Sequence, residues 1–141
     1  MHLTNNKLIL KKRPDPDVKE DLFDFISQEL RTLQKNEFLI NVKYLSIDPA
    51  MRGWINIVGN YSNPVEINET MRRLGVGKII SSKNKLFCVG EYVVGWLGWQ
   101  KYSIVNEKDI QIKINPKDVP ISANLGVLGV NGITAYAGLL D

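Results

Sequence analysis

Soft metal ligands are scarce in this sequence: one cysteine, Cys88, and one histidine, His2, lie far apart in the chain. A lone cysteine forms no internal disulfide, which fits a reducing compartment. The same shortage argues against zinc, since a catalytic zinc keeps about three protein ligands and a structural one about four. Hydrolytic triads are disfavoured as well, because a Ser-His-Asp or Cys-His arrangement would need the terminal His2 as its base. Cys88, between Phe87 and Val89, is expected to be a buried, inert thiol. No apolar run approaches the roughly 20 residues of a membrane span. The start Met1-His2-Leu3-Thr4-Asn5-Asn6 lacks a signal-peptide core, so the chain reads as cytoplasmic. Charge of one sign is missing too: 18 Lys and Arg against 15 Asp and Glu leave a net +3. Lys11-Lys12-Arg13 is the densest basic run and reads as a solvated edge, so a nucleic-acid partner is not expected.

What is present suits one ordinary globular domain of 141 residues, 44% apolar and 23% charged. Short strands are expected at residues 6–13, which Pro14 and Pro16 end, and at 75–80, 92–95, 100–105 and 110–114. Leu22 to Leu30 is ambiguous by periodicity between strand and helix. From Glu37 to Ile47 the alternation puts Phe38, Ile40, Val42 and Tyr44 on one face. Leu45 and Ile47 then switch sides, which suggests a bulge or a departing strand. Residues 58–69 are rich in turn formers. The pattern turns helical only after Pro120. The fold class is therefore mostly β with late helices, a partly open β-barrel rather than a parallel sheet.

Three stretches carry the functional argument. In Asp48-Pro49-Ala50-Met51-Arg52, Asp48 reads as an N-cap and Pro49 as a first helical residue, which starts a short helix through Trp54. Trp96 and Trp99 stand within four residues, each with up to roughly 200 Å² to bury. Trp96 is expected in a barrel core or a domain interface, whereas Trp99 follows a glycine and is expected to face a cleft. Gly126-Val127-Leu128-Gly129-Val130-Asn131-Gly132 leads into the apolar Ile133-Thr134-Ala135-Tyr136-Ala137-Gly138-Leu139-Leu140-Asp141. The three glycines have the wrong spacing for a dinucleotide fingerprint, and no strand precedes them. They read as a structural turn, and the helix after them as an apolar surface awaiting a second domain.

These stretches, together with Gly75-Val76-Gly77-Lys78-Ile79-Ile80-Ser81-Ser82-Lys83-Asn84, resemble the zinc-independent medium-chain dehydrogenases/reductases that act on enals, enones and prostaglandin-type ketones. The resemblance runs from about Leu39 to Asp141 and more weakly before. It implies a GroES-like substrate domain over residues 1–125. Residues 126–141 would begin a linker helix to a Rossmann nucleotide-binding domain, in a homodimer of the intact enzyme. It also favours a strand at 22–30, an NADPH cofactor held mainly by the second domain, and no zinc. The implied chemistry is hydride delivery to the β-carbon of an activated double bond, with no catalytic residue in this chain. By the same resemblance Pro49, Ala50, Met51, Arg52, Trp54 and Trp99 line the substrate side, and Val130, Asn131 and Thr134 the nicotinamide side. Bland readings stand beside these: Asp48 as a cap, Arg52 in a structural salt bridge, Thr134 and Tyr136 in helix packing. Ala50 replaces a pocket tyrosine of the family and so removes a hydroxyl and opens space. Alternatives are a quinone reductase on the same scaffold or a free-standing GroES-like binding module without catalysis.

Overall fold

The computed structural model describes residues 3–57 and 62–140. His2 and the first part of the expected 58–69 loop lie outside the described residues. Nine elements frame the site. Strand β1 (Thr4–Leu10) and β2 (Phe23–Glu29) form an antiparallel hairpin with Leu8 opposite Phe25. A second sheet has the order β6-β3-β4-β5-β7, all antiparallel, from β3 (Phe38–Leu45), β4 (Leu74–Ser82), β5 (Tyr92–Trp96), β6 (Tyr102–Val105) and β7 (Ile110–Ile114). Helix α1 (Ala50–Trp54) follows β3, and α2 (Val130–Leu140) ends the chain. The mostly-β expectation holds, and within the ambiguous stretch Phe23–Glu29 is a strand.

The first strand starts and stops earlier than expected, at Thr4–Leu10 rather than 6–13. Lys11 still donates in register to Leu22 O, but the Lys12 amide turns to the same carbonyl, and this shared acceptor at the entrance of β2 ends the ladder. The expected side switch in β3 also comes earlier. Opposite β4, the register slips between Leu39 and Ile40 and again between Val42 and Tyr44. The second slip sets three residues of β3 against two of β4 and reverses the pleat. Phe38 and Ile40 are therefore buried, while Tyr44 is 52% exposed.

Two apolar clusters divide the molecule. Phe38, Ile40, Ile79, Phe87, Val93, Leu97 and Val105 fill the curved five-stranded sheet, with the Phe38 and Phe87 rings stacked at 4.6 Å. Leu8, Leu10, Leu22, Trp54, Ile55, Val65 and Met71 seal the hairpin against α1. Backbone bonds tie hairpin to sheet, with the Leu8 amide donating to Trp99 O at 2.8 Å and the Met71 amide to Leu8 O at 3.0 Å. Buried Asn5 completes the seam, donating to Gln100 Oε1 (2.9 Å) and accepting from the Tyr102 amide (2.8 Å).

One side chain departs from expectation, and another is excluded from one of its two expected places. Cys88 is exposed. Its neighbour Phe87 is the buried residue of the β4–β5 connection, which is bend and turn rather than strand, so Cys88 and Val89 both stay outside. Trp96 is 40% exposed at the end of β5, so it is not barrel core; its ring meets Trp54 edge-on at 6.0 Å.

Candidate functional site

The segment after β3 is organised around a buried arginine. Asp48 Oδ1 accepts the Ala50 amide hydrogen at 3.1 Å, but the helix starts one residue later than expected, so Pro49 and not Asp48 takes the cap position. Its other oxygen, Oδ2, accepts from Arg73 Nη2, whose guanidinium also donates to Ser46 O and Ser46 Oγ. The Arg73 side chain is 1% exposed, against 35% for Asp48. An isolated charge at that depth would be costly, and three oxygens from one loop satisfy it. The loop and the start of β4 are thus fixed together. Arg72 and Arg73 also lie over the Trp54 ring, at 5.5 and 5.9 Å from its centroid.

Of the expected substrate-side residues, Ala50, Met51 and Trp99 pack against the cluster that contains Trp54. Trp54 itself is 6% exposed and forms the floor beneath α1 rather than an open wall. Pro49 and Arg52 are exposed. Arg52 donates to Asn56 Oδ1 at 2.8 Å and to Pro16 O at 2.9 Å, so among the described residues bonds to neutral oxygens stand in place of the expected salt bridge. Trp99 lines an apolar cleft of about 300 Å³ with Leu8, Phe25 and Leu45, beneath the hairpin. Its buried Nε1 has no hydrogen-bond partner among the described residues.

The expected cofactor-side residues lie apart, on α2. No described residue of that helix is buried, and Val130 is 58% exposed. Thr134 Oγ1 donates to Val130 O at 2.8 Å, a bond within the helix. The glycines at the start of the helix are structural: a Cβ on Gly129, just before it, would come within 2.7 Å of Asn124 O, and one on Gly132, in its first turn, would overlap Val127 O. Among the described residues no group of His, Cys, Asp and Glu is placed to hold a metal ion. No described helix is long and apolar enough to cross a membrane.

The sequence reading missed Arg73. Its signal was weak but present: a charged pair, Arg72-Arg73, directly before the apolar run Leu74-Gly75-Val76. It also missed Asn5 and Gln100, whose pairing across 95 residues has no local signature.

The family profile described as "N-terminal domain of oxidoreductase" matches residues 6–113. The chain belongs to that family. This oxidoreductase domain is 34% identical over 137 residues to the NADPH-dependent curcumin reductase of Escherichia coli (strain K12), covering 97% of this chain and 39% of the relative. It is 33% identical over 145 residues to the NADP(+)-dependent 2-alkenal reductase of Nicotiana tabacum, covering 96% of the chain and 41% of that protein. Among solved structures it is similar to CurA from Vibrio vulnificus in complex with NADPH, with a TM-score of 0.85 and 35% identity over 96% of this chain and 40% of that one. The oxidoreductase domain therefore falls in the zinc-independent medium-chain group, with a GroES-like fold. It spans about two-fifths of the length of the curated relatives it matches.

Proposed function

We propose that this domain is the substrate side of an NADPH-dependent reductase that reduces the activated carbon–carbon double bond of enals or enones. The observation that carries this reading is the match of nearly the whole chain to relatives named as NADPH-dependent curcumin reductase and NADP-dependent 2-alkenal reductase. Residues 1–125 are the substrate domain, and 126–141 lead into a Rossmann domain that buries the apolar α2 and binds most of the cofactor. The intact enzyme is a homodimer in the cytoplasm, where an exposed free thiol such as Cys88 persists.

The residues present fit one side of a cofactor cleft. Val130 and Asn131 stand exposed on the first turn of α2, whereas Gly129 and Gly132 are occupied by their own backbone neighbours and form no phosphate cradle. Val130, Asn131 and Thr134 would flank the nicotinamide, which supplies the hydride when bound. Pro49, Ala50, Met51 and Arg52 would form the substrate wall. Trp54 and Trp99 support that wall from below, and Arg73 keeps it rigid, so the acceptor is oriented with little reorganisation. Ala50 leaves the wall without a hydroxyl, which widens the range of acceptors.

The test is NADPH oxidation, followed with a panel of trans-2-alkenals, enones and quinones, using protein extended through the downstream reading frame. Turnover with enals or enones supports the reading, and Ala50→Tyr is then expected to raise KM for bulky enones about tenfold and spare short alkenals. Turnover with quinones alone would move the assignment to a quinone reductase. No turnover by a folded protein would leave a binding module.

A further inference from the structure

A second concave surface lies at the opposite end of the five-stranded sheet from α1. Three turns meet there: residues 34–37 before β3, 83–86 after β4 and 106–108 after β6, since Phe38 pairs with both Ser82 and Val105. They enclose an open groove of about 800 Å³, lined in part by Lys35, Lys83, Lys85, Lys108, Leu86 and Glu107. Four lysines less Glu107, the one acid on its walls, give the groove +3, as large as the net charge of the whole 141-residue chain.

Several cations elsewhere are paired with acids: Lys12 with Asp21, Arg31 with Glu37, Lys113 with Glu91. Among the described residues no ion pair joins any of the four groove lysines to an acid. The turns that hold them are braced. Arg31 grips Glu37 through two bonds of 2.6 and 2.7 Å, and Glu37 also accepts from the Gln34 amide. Lys83 Nζ donates to Leu33 O, and Asn84 Nδ2 to Asn36 O, so the first two turns are bolted together. Asn106 and Asp109 cap the third turn reciprocally. The positive charge is therefore preorganised, which lowers the ordering cost of binding. Leu86, 61% exposed, lies among these lysines.

The geometry points to a docking groove for an acidic segment of a partner protein, in which Asp or Glu side chains flank one apolar side chain. Unpaired ammonium groups attract carboxylates and speed encounter, while the lysine stems and Leu86 offer an apolar seat. A small polyanion would use the charges and leave Leu86 idle, so the leucine favours a peptide. The surface is remote from α1, and the inference does not depend on the reductase reading.

The test titrates the isotope-labelled chain, by NMR, with three probes: the blocked pentapeptides Glu-Glu-Leu-Glu-Glu and Glu-Glu-Gly-Glu-Glu, and tripolyphosphate. Saturable shifts are expected in the turns at 34–37, 83–88 and 106–108, weakening as NaCl rises from about 50 to about 200 mM. The leucine peptide should bind about fivefold more tightly than the glycine peptide, and Leu86→Ser should remove that difference. Lys35→Glu with Lys85→Glu should weaken both peptides at least about tenfold while amide shifts elsewhere stay unchanged. Equal affinity of the two peptides, or tripolyphosphate binding more tightly than the leucine peptide, would overturn the proposal in favour of a small-anion site. Absence of saturable shifts in these turns would overturn it outright.

Discussion

Arg73 and Asp48 share one interaction but not one environment, and that asymmetry gives the sharpest single-residue expectation. Removing the carboxylate by Asp48→Ala leaves a guanidinium that is 1% exposed without its counter-charge. Destabilisation of about 3 kcal/mol is expected in urea unfolding. Arg73→Met leaves a carboxylate that reaches water and fills the hole with an apolar chain, so about 1–2 kcal/mol is expected. Equal losses would contradict the account of the loop. Glu37 gives a pH signature. Hydrogen bonds from the Arg31 guanidinium, then from the Gln34 amide, lower its pKa from 4.5 to about 2. A depressed carboxylate stabilises the fold above its unfolded pKa and loses that contribution as pH falls through the folded value. Stability is therefore expected to drop from about pH 4.5 towards 2 in part through Glu37, and Glu37→Gln should flatten that part of the curve. At this scale the sequence was read with mixed success. Asp48 was legible as a residue that starts the helix, though one position before the cap, because its bond to Ala50 is local. Its pairing with Arg73 spans 25 residues, and no periodicity encodes it. Cys88 was misread because an apolar tripeptide does not reveal which member the turn places inside.

Among the elements, α2 shows how a glycine turn sets a helix. The backbone of Gly132 packs so closely on Val127 that no side chain fits, whereas Gly138 faces open space. Gly132→Ala should unravel the start of α2 and lower the helical circular dichroism signal. Gly138→Ala should raise it, adding roughly 0.5–1 kcal/mol of helix propensity. The reverse order would contradict the close approach. Helix and strand identities were largely legible because alternation and turn residues are strong local signals, as in Ile110–Ile114 and Val130–Leu140. The bulges of β3 were displaced in the reading because they arise from register against β4, a partner about 37 residues away that local patterning does not contain.

For the whole molecule, the decisive feature is the pairing of an ordered α1 loop with an α2 whose apolar side chains are exposed: Ile133 at 65%, Tyr136 at 69% and Leu139 at 85%. The Trp54 floor was not legible, since its burial depends on the hairpin closing over it, whereas Trp99, expected to face a cleft from the glycine before it, does line one. The family was legible from motif order, and the substrate was not, because Ala50 departs from the motif within the proposed substrate wall. The central claim is that this domain lines a cofactor cleft without holding a complete dinucleotide site. The direct measurement is an NADPH titration by nicotinamide fluorescence, on the 141-residue chain and on protein extended through the downstream reading frame. The account expects saturable binding by the extended protein only, with Asn131→Ala weakening it. Equally tight binding by the chain alone would contradict it.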